Sequence, residues 1–277
     1  MDKKIKLGIL KGIVYFFTFL VALVLISHMI NRGNADMTAQ MPDASFPTVA
    51  FLLDGGPVNT LHGYSEERDC KLQRDTIQPV LTDRKLQFEI NKYGQNISKV
   101  RYQVRNADGE RLIEDHELED YQETKEQIYG SITLKDLIET DREYELVIQV
   151  MMENGQNVWF YTRLIQSENN NISEKVAFIR NFHEKTFDKE AAEELAVYLE
   201  SNSSGDNTTL GYANIHSSLN QVTWADLQPK QITSTQVTIR ELDQQTGSFQ
   251  ITYLIALMDG RQSKYYRVEE NYRIRYT

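Results

Sequence analysis

The sequence predicts a mainly β protein with a short helical connector, carried on an N-terminal transmembrane helix. Three observations lead to this fold class. Residues 12–30 form an uncharged apolar run, residues 47–167 alternate between apolar and polar side chains over several stretches, and Asn-Gly or Asp-Gly pairs separate some of these stretches. Alternation with a period of two is typical of strands, and the dipeptides supply the positive φ that tight hairpin turns require.

The apolar run has the length of a membrane span. Its 19 residues contain no Asp, Glu, Lys or Arg, and as a helix they extend about 28 Å, close to the hydrocarbon thickness of a bilayer. Lysines precede the run, which favours a cytoplasmic N-terminus. A signal peptide cut after Ala35 is the alternative, although its apolar region is usually only about 7–15 residues long. We therefore expect a cytoplasmic segment at 1–11, an uncleaved anchor at 12–30, a tether at 31–46 and an extracytoplasmic body.

The charge of that body disfavours nucleic acid as a partner. The chain has 30 basic and 40 acidic residues; residues 1–34 hold five and one of them, which leaves 25 and 39, a net charge of −14, for residues 35–277. An acidic molecule repels a polyphosphate backbone.

Residues 47–167 predict a β-sandwich of seven or eight short strands, among them 48–53, 85–90 and two runs within 144–165. Ile138 lies six residues before Tyr144, which begins a predicted strand. This spacing resembles the tyrosine corner of immunoglobulin-like and fibronectin type III sandwiches, in which the tyrosine hydroxyl bonds back to the preceding loop. The resemblance implies an Ig-like topology and no particular activity.

The second half begins with a helical connector at 172–201. Ser173 and Asp188 are predicted N-caps of two helices within it. Strands then resume in a second β-rich unit at 210–277, with a strand at 212–219 and a long hairpin over its last thirty residues or so. Because the chain ends in strand-like sequence, we expect this unit to be incomplete and the natural protein to be longer.

Few residues suggest catalysis. His216, Ser217 and Asp226 are the best candidates for a hydrolase, but in a strand His216 and Ser217 point to opposite faces, and no Gly-x-Ser-x-Gly or His-Glu-x-x-His motif is present. Cys70 is the only cysteine, so it forms no intrachain disulfide; we expect it to be a small residue in or near a core. We predict no catalytic residue, cofactor or metal, and we name four candidate partner contacts: His216, Trp224, Trp159 and Tyr161.

The sequence resembles single-pass extracytoplasmic proteins of Gram-positive anaerobes in two segments, FLLDGGPVNTLHGYSEERD (51–69) and NIHSSLNQVTWADLQP (214–229). The resemblance implies a membrane-anchored body, which in longer members precedes a β-propeller-like region. It implies no activity, so it assigns no functional residues. The layout also looks like that of anchored regulators of sensor kinases.

From these observations we expect a membrane-anchored, non-catalytic interaction, regulatory or scaffold protein of the cell envelope. Its partners would be the membrane, through the N-terminal helix, and another envelope or membrane protein. An envelope hydrolase and a glycan- or peptidoglycan-binding module are the alternatives.

Overall fold

The structure is a computed structural model. It describes residues 3–30, 46–135, 138–167, 170–205, 208–259 and 262–276. The chain divides into two compact units, Met1–Asp43 and Ala44–Thr277. Apart from Phe46, the predicted tether lies outside the described residues.

The first unit contains helix α1 (Lys3–Ile30). Its segment Leu7–Met29, 23 residues, is long and apolar enough to cross a membrane, and none of its most apolar stretch is buried. The span begins before the predicted Gly12 because the single charge of Lys11 does not interrupt the apolar character of the helix. A soluble protein would have to cover such a surface.

The described residues of the first half of the second unit form ten strands. They are β1 (Thr48–Leu53), β2 (Gly56–His62), β3 (Ile77–Val80), β4 (Lys85–Asn91), β5 (Ile97–Asn106), β6 (Leu112–Glu117), β7 (Tyr121–Glu123), β8 (Gln127–Thr133), β9 (Glu143–Met152) and β10 (Asn157–Gln166). One sheet contains the order β2-β1-β4-β8-β7, and the other has the order β3-β10-β9-β5-β6. The predicted fold class, mainly β with a sandwich of two sheets, is confirmed.

The predicted tyrosine corner is also present. Tyr144 is buried near the start of β9, and its hydroxyl accepts a hydrogen bond of 2.8 Å from the backbone N–H of Glu139. This bond ties the loop before β9 to the sandwich, as in Ig-like domains.

The part of the second half that the structure describes adds three helical segments and four strands. They are α2 (Ile172–Thr186), a 3₁₀ helix (Ala191–Tyr198), α3 (Leu219–Val222), β11 (Lys230–Gln231), β12 (Gln236–Leu242), β13 (Thr246–Asp259) and β14 (Gln262–Arg275). Strand β12 pairs with β2 in parallel, with Val237 opposite Val58. Strands from the two predicted β-rich units therefore belong to one nine-stranded sheet.

A buried asparagine secures this junction. Asn59 on β2 donates from Nδ2 to the carbonyl of Ile77 and to Oε1 of Gln78, both at 2.9 Å. Its Oδ1 accepts the backbone N–H of Ile239 at 2.7 Å. One side chain thus connects β2, β3 and β12.

The helical connector forms, but the N-cap positions of both segments differ from the predicted ones. Asn171, with a φ of 46°, precedes α2 in the N-cap position, and the predicted Ser173 lies inside the helix. The Asp188 side chain accepts the N–H groups of Glu190 and Ala191 at 3.0 and 3.1 Å, but the N-cap position of the second segment is Glu190, two residues after the predicted one. That segment is a 3₁₀ helix.

The predicted strand at 212–219 is wrong. A turn at 215–216 leads into α3, and Ser218 caps this helix by accepting the N–H of Gln221 at 3.2 Å. The Asn214 side chain accepts the N–H of His216 at 2.9 Å. Such local bonds from Asn and Ser side chains compete with a strand ladder.

Candidate interaction surface

The β13–β14 hairpin is the longest element of the body. Its two strands of 14 residues pair without a register shift from Thr246↔Arg275 to Asp259↔Gln262. On its other side β13 is flanked by β12 and β11. Among the residues that the structure describes, β14 pairs with β13 alone. One long strand edge is therefore open.

The hydrogen-bond pattern shows which backbone groups line this edge. Just beyond β14, the N–H of Tyr276 donates to the carbonyl of Gln245 at 2.8 Å. Because bonding directions alternate along an antiparallel pair, even-numbered N–H groups of β14 point to β13. The odd-numbered ones, including those of Glu269, Asn271 and Arg273, point to the open edge. An added strand could bond to these groups.

We call the half of the hairpin nearer Thr246 and Arg275 its base. A buried polar network, which we call the Glu270 network, holds this base against α2. The Glu270 carboxylate contacts His183 Nδ1 at 3.0 Å and accepts the hydroxyls of Tyr253 and Tyr272, both at 2.6 Å. His183 is 4% exposed and lies on α2. Its Nε2 is 3.2 Å from Oε1 of Gln231.

The geometry indicates a charged His183. Nδ1 faces a carboxylate, which only accepts, and Nε2 faces an amide oxygen. That amide is oriented because Gln231 Nε2 donates to the carbonyl of Thr233 at 2.7 Å. Both ring nitrogens must then donate, which requires the imidazolium form. Burial lowers the pKa of His183, but the hydrogen bond and the charge of Glu270 outweigh it, so the pKa is raised.

The two tyrosines keep their protons. Burial and the charge of Glu270 raise the pKa of both Tyr253 and Tyr272. Each hydroxyl therefore stays a donor to the Glu270 carboxylate. The network stabilises one geometry of the hairpin base. The sequence pattern of α2 alone could not reveal it, because Glu270 lies 87 residues beyond His183.

A buried lysine makes a second tie. Lys175 on α2 is 1% exposed, and its Nζ donates to the carbonyls of Asp243 and Thr246, both at 3.2 Å. Burial lowers its pKa. Together with the Glu270 network, this contact docks α2 on the β12–β13 turn and on the base of the hairpin.

The two ends of the hairpin differ in polarity. Leu254, Met258 and Tyr265 lie on the outward face of the end remote from the base, since Ala256 is opposite Tyr265 and Met258 is opposite Ser263. Met258 is 70% exposed and Tyr265 67%. Nearer the base, the same face carries polar residues such as Gln250 and Asn271, which hydrogen-bond to each other.

The predicted contacts Trp159 and Tyr161 lie close together on β10, beneath the segment that joins β2 to β3. Tyr161 is 7% exposed, and its hydroxyl accepts the N–H of Arg68 at 2.6 Å. Trp159 is half-buried and packs against a small cluster of Tyr161, Cys70 and Val147. In this structure both side chains pack within the body.

The other two predicted contacts lie near α3. Trp224 is half-buried against Phe187, with ring centroids 5.6 Å apart. His216 is also half-buried, and its Nδ1 lies 3.0 Å from Asn202 Nδ2.

The candidate hydrolase residues are not assembled into a triad. Ser217 is 1% exposed, and its Oγ accepts the N–H of Asn214 at 3.1 Å. Asp226 is exposed. No hydrogen bond is found among His216, Ser217 and Asp226, all of which the structure describes.

A buried carboxylate lies beside Cys70 on the outer face of β9. Glu145 is 0% exposed, and among the described residues its two oxygens accept no hydrogen bond. Arg74 Nη1 lies 3.6 Å from Oε1. Burial raises the pKa of Glu145 to about 8, against the opposing charges of Arg74 and Arg163. Burial and Glu145 likewise raise the pKa of the Cys70 thiol, which disfavours a nucleophilic thiolate.

Groups that could hold a metal are not found in the described part of the chain: it contains no cluster of three or more His, Cys, Asp or Glu side chains with suitable placement.

Comparisons with known proteins add little. No family model matches the chain, and no curated protein matches it. Among solved structures, the sporulation control protein Spo0M from Bacillus subtilis is similar over 82% of this chain and 91% of its own, with 11% sequence identity and a TM-score of 0.25. A TM-score of this size supports no inference about shared fold or function.

Proposed function

We propose that this chain is a membrane-anchored, extracytoplasmic interaction protein of the cell envelope, of a regulatory or scaffold type and without a catalytic role. Helix α1 supports the anchor by its length and apolar surface. Four lysines within the first nine residues of this helix favour a cytoplasmic N-terminus and an extracytoplasmic body.

The open edge of β14 carries the proposal of an interaction role. An exposed strand edge is a template for pairing with another chain, and proteins use it to bind extended peptide segments. In this body the edge strand is 14 residues long, and the Glu270 network holds its base against α2. The partner that fits this surface is an extended segment of another envelope or membrane protein.

The test uses a residue whose N–H faces the open edge. Asn271→Pro removes that N–H without breaking a bond to β13, and proline is tolerated on an edge with its missing donor toward solvent. Asn271→Ala is the matched control, since it shortens the same side chain and keeps the N–H. Cross-linking on intact cells that express the full chain should recover a protein partner with the wild type and Asn271→Ala, and not with Asn271→Pro.

Two results would contradict the proposal. Recovery of no protein partner from intact cells would remove the interaction role. An Asn271→Pro variant that melts like the wild type and still recovers the partner would remove strand addition. Binding of the purified chain to cell-wall polymer instead of protein would favour a glycan-binding module.

A further inference from the structure

A second surface of the hairpin differs in character from the open edge. We call it the hairpin end and define it as residues 254–258 of β13 and 263–267 of β14. It has apolar and aromatic side chains on both faces of the β13–β14 ribbon, which β11 flanks at Ile255 and Ala256. Tyr265 lies on the outward face, opposite Ala256, whereas Tyr266 lies on the other face, opposite Ile255. Tyr265 and Tyr266 are 67% and 46% exposed.

The charge of the hairpin end is opposite to that of the body. Its ten residues contain Lys264 and Arg267 and no Asp or Glu, a net charge of +2, within an extramembrane part whose net charge is −14. Arg267 pairs with Glu269 at 2.7 Å and keeps 65% of its side chain exposed. The end therefore suits an anionic surface, whereas the rest of the body would be repelled by one.

Tyrosines with adjacent basic side chains are the residue types that occupy the interface of a bilayer. Tyrosine places an apolar ring next to a polar hydroxyl, and it is enriched at the depth of the headgroups. Lysine and arginine lay their apolar stems along such a surface and direct their charges to anionic lipids. Met258 and Leu254 on the outward face add apolar area to the same end.

From these observations we propose that the hairpin end rests in the interface of a lipid bilayer that carries anionic headgroups, as a second membrane contact besides α1. Tyr265 and Tyr266 keep 67% and 46% of their surface exposed on opposite faces of the ribbon, and a bilayer interface can contact the exposed part of each ring. The 16 residues 31–46 can extend to at most about 55 Å, which limits how far the start of the body can be from the membrane. The tether makes the contact effectively intramolecular, so a weak surface affinity is sufficient.

The experiment follows a nitrobenzoxadiazole label on the full chain reconstituted into vesicles of phosphatidylcholine, with and without phosphatidylglycerol. Cys70→Ser removes the native thiol, and Tyr265→Cys receives the label. Tyr212→Cys is the matched control because Tyr212 is also 67% exposed and lies outside the hairpin. Quenching by nitroxide-bearing lipids reports how close each label is to the acyl chains.

We expect quenching at position 265 to be at least about twofold stronger than at 212 in vesicles with phosphatidylglycerol, and weaker in pure phosphatidylcholine. The double variant Lys264→Glu with Arg267→Glu should bring position 265 to the level of 212; its altered side chains are exposed, and circular dichroism checks the fold. Equal quenching at both positions would overturn the proposal. The proposal would also be overturned if the label at position 265 were shielded only when a protein is added, and not by lipid alone. The open edge of β14 is not altered by these variants, so failure here leaves the strand-addition proposal to its own test.

Discussion

The side chain of Asn59 accepts the backbone N–H of Ile239 at 2.7 Å, across 180 residues of sequence. Together with its bonds to Ile77 and Gln78, this contact joins the Ig-like sandwich to the strands that carry the hairpin. The position of the candidate interaction surface therefore depends on one fully buried amide.

Replacing Asn59 with alanine should lower the free energy of unfolding by about 2–4 kcal/mol, because it leaves the Ile239 N–H and a carbonyl buried without partners. Asn59 has a φ of 50°, so Asn59→Gly is the control that relieves backbone strain while losing the same bonds. Both variants should be destabilised in urea titrations. If glycine were as stable as asparagine, the side-chain bonds would not be the source of the stability.

The Glu270 network predicts a stability that falls as the pH rises. The pKa of His183 is raised in the folded protein, so its contribution is fully present below the ordinary imidazole pKa of about 6.5 and is lost as the pH passes through the higher folded value. His183→Gln should lower the free energy of unfolding by about 1–3 kcal/mol below that range and flatten this dependence. Urea titrations from acidic to basic pH measure it. His216→Gln, which makes the same replacement at a histidine outside the network, is the control.

Glu145 predicts a gain in stability on mutation. Its pKa is raised to about 8, so the folded state binds its proton more tightly than the unfolded chain, whose Glu pKa is about 4.3. Ionising this carboxylate therefore costs stability as the pH rises from the unfolded value to the folded one. Glu145→Gln should raise the free energy of unfolding by about 1–3 kcal/mol at pH 8 and by less at pH 5.

The neighbouring Glu143 provides a matched control, for which we expect the opposite change in stability. It bonds to Arg163 at 2.9 Å and also pairs with Arg74, and Arg163 is buried. Glu143→Gln should destabilise the body, because it removes the carboxylate from a buried guanidinium. Destabilisation by Glu145→Gln at pH 8 would show that its carboxylate has a stabilising partner.

Removing the hydrogen bond of the tyrosine corner should cause a modest loss of stability. Tyr144→Phe removes the hydroxyl that accepts the Glu139 N–H and should lower the free energy of unfolding by about 1 kcal/mol. Tyr212→Phe, at a 67% exposed position, should be neutral. Thermal or urea unfolding of both variants distinguishes loss of this bond from a general intolerance of phenylalanine.

Local patterns were enough to predict most strands and their class. Strand β1 at Thr48–Leu53 coincides with the predicted range, and the Tyr144 hydroxyl bonds to the loop before it as the spacing indicated. The predicted strand at 212–219 was wrong because the side chains of Asn214 and Ser218 bond to nearby backbone N–H groups, and these local bonds compete with strand pairing. Alternation alone does not measure that competition.

The sequence by itself determined the apolar N-terminal helix, the mainly β body and the long final hairpin, because each depends on the order of neighbouring side chains and on turn residues. Only the tertiary structure decided that β12 joins β2, that His183 meets Glu270 and that Tyr265 and Tyr266 remain exposed. These contacts and exposures depend on packing between segments that are far apart along the chain. A local sequence pattern does not indicate which distant residue will cover or bind a given side chain.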